Sequence, residues 1–102
     1  MRLQFYVKFH TEYGESLWLK GNFPNTADTN DQGLLAMEYF NTDYWQLTFE
    51  CDGSSIKWED IRYHYLLQTK DGEWVPESAS DRILAPLKKN INSLQLIDVW
   101  NH

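Results

Sequence analysis

Apolar side chains recur at every second position through short runs of this chain, and turn-forming residues interrupt the runs roughly every ten positions. A strand turns successive side chains to opposite faces, so each run coats one face of a sheet and leaves the other to water. In residues 3–9, Leu3, Phe5, Val7 and Phe9 alternate with Gln4, Tyr6 and Lys8, which predicts a strand with its odd positions inward. A turn at Glu12-Tyr13-Gly14-Glu15 leads into a second strand over 16–21, closed by Asn22-Phe23-Pro24. Residues 34–37 are a short strand. Residues 44–51 make a firmer one, with Trp45, Leu47, Phe49 and Cys51 on one side, and 61–68 gathers Ile61, Tyr63, Tyr65 and Leu67 on one face. Asp71-Gly72 signals a hairpin, since both residues tolerate positive φ. Residues 82–84 and 93–100 are the last strands. The stretch 25–33 is polar and aperiodic, a loop, and no window holds more than a turn or two of helix, which would start near Trp58-Glu59-Asp60. The pattern predicts an antiparallel sandwich or barrel.

With 102 residues the chain makes one domain with a single core. Five Trp, six Tyr and five Phe are hard to fit into a core that small, so some rings are expected at the surface as binding equipment. A net charge of −6, with only nine Lys and Arg, argues against a nucleic-acid partner and against an anionic membrane. A neutral ligand is compatible with it. Cys51 is the only cysteine, so no internal disulfide forms, and no signal peptide or membrane span is visible; a cytoplasmic protein is the expectation.

Catalytic chemistry is hard to find. A sugar-cleaving carboxylate pair must face itself across a cleft, and none of the fifteen acids stands out as such a pair. His10, His64 and His102 lie far apart, and one Cys builds no thiolate cluster. Cys51 sits on the apolar face of its strand, which makes it a buried structural thiol rather than a nucleophile partnered by His64. No phosphate loop or nucleotide fingerprint is present. No catalytic residue, metal ligand or cofactor is assigned.

The segment Thr11-Glu12-Tyr13-Gly14-Glu15-Ser16-Leu17-Trp18-Leu19-Lys20-Gly21-Asn22 resembles the opening of the family 20 carbohydrate-binding modules, the starch-binding domains. Trp45-Gln46-Leu47-Thr48, Arg62-Tyr63-His64-Tyr65, Asp71-Gly72-Glu73-Trp74 with Glu77-Ser78 and Asp81-Arg82, and the closing Asp98-Val99-Trp100 are similar to further marks of that family, in the same order. The resemblance spans nearly the whole chain. It implies an immunoglobulin-like antiparallel β-sandwich of seven to eight strands with up to two α-glucan sites.

One implied site maps onto Tyr13, Tyr39 and Trp45, although strand parity also allows Trp45 to face the core or the sandwich rim. The other implied site is two Trp and a Lys. Here His64 stands at the Lys position and Trp74 at the second Trp, shifted by Val75-Pro76. The first Trp, from a Leu-Gly-x-Trp loop, is missing, and Asn25-Thr26-Ala27-Asp28-Thr29 takes its place. Trp18 alternates opposite Leu17 and Leu19, on an outer sheet face that suits sugar or inter-domain packing equally. Trp58 reads as a lid on the core and Trp100 as an anchor of the last strand.

The expected function is therefore non-catalytic binding of α-1,4-glucan, such as starch, glycogen or maltooligosaccharide, by exposed rings. The expected context is residues 1–102 as one module of a larger enzyme, attached to a catalytic domain, with family 77 4-α-glucanotransferase the implied parent. The competing reading is a sandwich serving as an interaction or spacer domain that lost sugar binding together with the missing Trp. A third, an immunoglobulin-like adhesion domain, would want a disulfide or a secretion signal.

Overall fold

The computed structural model describes residues 2–23, 34–50, 61–77, 81–84 and 93–101. The strands are β1 (Arg2–Lys8), β2 (Ser16–Gly21), β3 (Leu34–Ala36), β4 (Glu38–Tyr39), β5 (Tyr44–Glu50), β6 (Arg62–Gln68), β7 (Trp74–Pro76), β8 (Arg82–Ile83) and β9 (Ser93–Val99). They form two sheets. The first has the order β4-β5-β1-β9; the second has the order β3-β2-β6-β7, with β8 also paired to β6. The described residues thus build an all-β, two-sheet sandwich of about nine strands.

One strand, β4, had no counterpart in the sequence pattern, and β7 was signalled only by the hairpin turn before it. A strand of two or three residues is too short to display an alternation. Pro76, opposite Leu66, is accommodated because β7 closes its side of the sheet, where a missing N–H costs no ladder bond. The β6–β7 hairpin turns where Asp71-Gly72 predicts: Gly72 has φ +87° and donates its N–H to the Thr69 carbonyl at 2.9 Å. One pairing departs from the antiparallel expectation. β1 and β9, the first and last described strands, run parallel in the register Arg2↔Ser93 to Lys8↔Val99.

The core follows the parity of the strands. Leu3, Phe5 and Val7 from β1 have no exposed surface, and Leu17 and Leu19 of β2, with Tyr63, Tyr65 and Leu67 of β6, meet them from the second sheet. Phe5 stands at the centre of a ring cluster, edge-on to Phe23 and Tyr63 and stacked with Phe49 at centroid distances of 5.2–5.8 Å. Such pairs add about 0.5–1.5 kcal/mol each to the burial of their area. Trp100 is buried against Phe9 at 4.8 Å and anchors the end of β9 as the sequence suggests. Cys51, the loop 25–33 and Trp58 lie outside the described residues.

One polar cluster joins the two sheets. Glu77, whose side chain is fully enclosed, accepts both Arg82 Nε at 3.0 Å on Oε1 and Arg82 Nη2 at 3.0 Å on Oε2. The same carboxylate accepts the backbone N–H of Tyr65, and Asn101 reaches it through both its backbone and its amide. Arg82 also faces Asp98 at 3.4 Å and donates to the Val99 carbonyl at 2.7 Å, tying β8 to β9. Asp98 Oδ2 in turn accepts the hydroxyls of Tyr63 and Tyr65 at 3.0 and 2.7 Å. Burial acts to lower the Arg82 pKa, but the hydrogen bonds to Glu77 and the charge of Asp98 outweigh it and leave the guanidinium above its ordinary value.

Removing Glu77 strips Arg82 of its two-point partner and leaves the Tyr65 N–H and the Asn101 donors without the acceptor they share. Glu77→Ala is expected to cost about 3–5 kcal/mol in urea unfolding, whereas Glu50→Ala, at an exposed ion pair with Arg2, costs about 0–1 kcal/mol.

Burial, then the charge of Asp98 and the bonds donated to it, push the Tyr63 and Tyr65 phenols far above the ordinary value of 10.0. The unfolded chain releases these protons near 10.0 and the folded chain keeps them. Their contribution to stability is complete below pH 10.0 and is lost as the pH rises beyond it. Unfolding midpoints measured upward through pH 10.0 should fall, and the fall should be smaller in a Tyr63→Phe/Tyr65→Phe variant.

Candidate functional site

The turn after β1 is closed by the Glu15 N–H donating to the Glu12 carbonyl, and Gly14 supplies the positive φ of +89° that the turn requires. Tyr13 therefore projects from the tip and is fully exposed. Tyr39 lies on β4 opposite Trp45, half-exposed, with its ring edge-on to the indole at 5.7 Å and 88°. Trp45 is 8% exposed; it belongs to the core cluster and donates its Nε1–H to Thr11 Oγ1 at 3.2 Å. These three side chains border one open hollow of about 320 Å³, together with Thr11, Glu12, Gly14 and Glu15. The sequence brings the trio together, with Trp45 turned inward.

Trp74 and His64 lie elsewhere, on the outer face of the second sheet. Trp74 is 44% exposed and stands edge-on to Trp18 at 5.4 Å and 76°. Trp18 is held in turn by a bond from its Nε1 to Ser16 Oγ at 3.0 Å. His64 Nδ1 lies 3.1 Å from Asp81 Oδ1 and borders a second hollow, of about 330 Å³, lined by Lys20, Gly21, Asn22, Arg62 and Asp81.

The expectation of glucan binding by exposed aromatic rings is overturned by this arrangement. A sugar platform needs ring faces open to solvent and set beside one another. The core instead takes Phe5, Phe23, Trp45, Phe49, Tyr63, Tyr65 and Trp100. The expectation that so small a core leaves the rings to the surface underestimated the sandwich, whose two inner faces interdigitate rings edge to face. Of the rings that remain exposed, Tyr39 turns edge-on to buried Trp45 and Trp74 edge-on to half-buried Trp18. Neither pair offers two open faces side by side.

Two features escaped the sequence reading. Tyr6, Phe40, Tyr44 and Ile97 border an apolar hollow of about 300 Å³ on the outer face of the first sheet, with Tyr6 and Phe40 edge-on at 5.5 Å. Tyr6, Tyr44 and Ile97 are outward positions of three paired strands, so the signal was the outward side of runs read mainly for their inward side. Glu77, Arg82 and Asp98 each fall in a stretch that carries the family resemblance, but their meeting in one cluster was not foreseen, because they lie on separate segments. Among the described residues, no three His, Cys, Asp or Glu side chains group as metal ligands.

No protein-family model and no curated protein sequence matches this chain. Solved structures do match its fold. A glycoside hydrolase family 15 glucoamylase from Hypocrea jecorina aligns with 99% of this chain and 17% of its own, at a TM-score of 0.70 and 18% identity. The glucoamylase of Hormoconis resinae aligns with 98% of this chain and 17% of its own, at 0.71 and 20%. A gamma-CGTase from alkalophilic Bacillus clarkii aligns with 99% and 15%, at 0.63 and 16%. The chain is thus a small β-sandwich domain like one found within these enzymes, and it spans less than a fifth of the length of each.

A stability test separates the two ends of the expected trio. Trp45→Ala should lower stability by about 3 kcal/mol through the cavity it leaves. Tyr13→Ala should leave the thermal midpoint unchanged, since the ring touches solvent on all sides.

Proposed function

We propose that this chain is an immunoglobulin-like β-sandwich acting as an interaction or spacer domain, a divergent relative of the family 20 modules without their sugar binding. The observation that carries this reading is the fate of the rings. The indole expected to stack on glucose, Trp45, is part of the core and is already satisfied by Thr11 and Tyr39. What the surface keeps is apolar area on both outer faces: Phe40, Ile97 and Val99 on one, and Trp74 beside Trp18 on the other. Patches of this kind favour packing against protein.

The topology supports the spacer role. Because β1 and β9 run side by side in parallel, Arg2 and Val99 lie at opposite ends of the ladder, not together at one end. A polypeptide passing through the domain enters at one end and leaves at the other, which separates whatever it joins. The fold's occurrence inside a glucoamylase and a gamma-CGTase makes a glycan-processing catalytic domain the favoured neighbour.

The test is electrophoresis through gels containing soluble starch or glycogen, together with calorimetry against maltoheptaose. Migration unchanged by the polysaccharide and no binding heat are expected. Retardation that is abolished by Trp74→Ala or by Tyr13→Ala would overturn the reading.

A further inference from the structure

We infer that the outer face of the β3-β2-β6-β7 sheet is a docking surface for an acidic polypeptide segment that also carries apolar side chains; this deepens the interaction-domain reading and rests on it. Leu17 and Leu19 turn inward, so Trp18 and Lys20 turn outward; Tyr63, Tyr65 and Leu67 turn inward, so Arg62, His64 and Leu66 turn outward. The pairing registers then set Ala36, Trp18, Leu66 and Pro76 in one apolar row across all four strands. Trp74 leans on that row from the neighbouring position.

On the other side of the row the chemistry changes. Lys20 lies opposite His64, and Arg62 follows two residues along β6, opposite Ile83. Lys20, Arg62 and His64 all border the hollow of about 330 Å³, and Asp81 is the one acid among its described lining residues. In a chain with nine Lys and Arg against fifteen Asp and Glu, this grouping runs against the charge of the whole molecule. Such a local field selects an acidic partner and steers its approach. A purely anionic ligand would leave the tryptophan row unused, and a purely apolar one would make no use of the Lys20 and Arg62 charges, His64 being held by Asp81 at 3.1 Å. A segment with acidic and apolar side chains in turn satisfies both halves, with Trp and Arg as the anchoring types.

The probe is a short fluorescein-labelled peptide of alternating glutamate and leucine, titrated by anisotropy, with amide shifts in the labelled protein locating the contact. Micromolar binding is expected, weakened severalfold as salt shortens the screening length from roughly 30 to 3 Å. Shifts should fall on β2, β6 and β7. Lys20→Glu and Trp74→Ser should each weaken binding at least about fivefold, while Lys20→Arg and Ile97→Ser, the latter on the opposite sheet, leave it unchanged. Thermal midpoints verify that each variant folds, and if Trp74→Ser does not, the Lys20→Glu and Lys20→Arg pair decides. Equal binding of a lysine–leucine peptide, shifts confined to β1, β5 and β9, or no binding at all would each overturn the inference. A maltoheptaose titration separates the two levels: sugar-induced shifts on this face sink the interaction-domain reading as well, while silence from both probes sinks the peptide inference alone.

Discussion

A carboxylate shut away from water holds the two sheets in their mutual position. Glu77 follows β7, yet its oxygens are reached from β6 by the Tyr65 N–H, from β8 by Arg82 and from beyond β9 by Asn101. Desolvating such an ion is costly, and only a full set of donors offsets the cost. Here the set is complete, with two charge-assisted bonds from one guanidinium. Apolar contact supplies most of the driving force for folding, but it is non-directional and tolerates sliding. The Glu77–Arg82–Asp98 chain does not tolerate sliding, because any displacement of β9 past β8 strands a charge. The same chain fixes where Trp100 meets Phe9, and hence how that end of the sandwich is closed.

The distribution of aromatic residues then decides what the surface is able to do. In a sandwich the inner faces are filled by residues from every strand, and rings meeting edge to face fill such a space efficiently. Phe5, with Phe23, Phe49 and Tyr63 around it, is the clearest case. A ring committed to that cluster contributes to stability and is lost to recognition. Of the rings left outside, Tyr39, Phe40 and Trp74 stand edge-on to a neighbour and Tyr13 projects alone, so the domain presents mixed apolar patches. The fold therefore matches a part of a glucoamylase and of a gamma-CGTase, while its surface offers scattered apolar patches and no paired platform of open ring faces.

The strand pattern was legible wherever a run exceeded five or six residues. β1, β2, β5, β6 and β9 lie within a residue or so of the predicted bounds, because the period of two fixes both the strand and its inward side. Shorter strands show no full period: β3 and β8 were read from brief apolar runs and β7 from the hairpin turn before it, while β4 is defined only by its pairing with β5. The parallel partnership of β1 with β9 was invisible for another reason: local sequence fixes a strand's faces, not its neighbours. Within the candidate site, Tyr13 and Gly14 were readable from turn chemistry. Trp45 was not, since its position near the rim of β5 satisfies parity and exposure alike, and the choice was made by Thr11 and Tyr39 across the sheet.

The side-by-side course of β1 and β9 has a mechanical consequence. Tension applied through the two ends of the described chain would draw β1 toward one pole and β9 toward the other, loading their ladder along the strand axis. In that geometry the rungs from Arg2↔Ser93 to Lys8↔Val99 resist together instead of opening one after another like a zip. Rupture under force is governed by the unfolding barrier rather than by equilibrium stability. A sandwich built this way is stiffest along the axis that joins Arg2 to Val99.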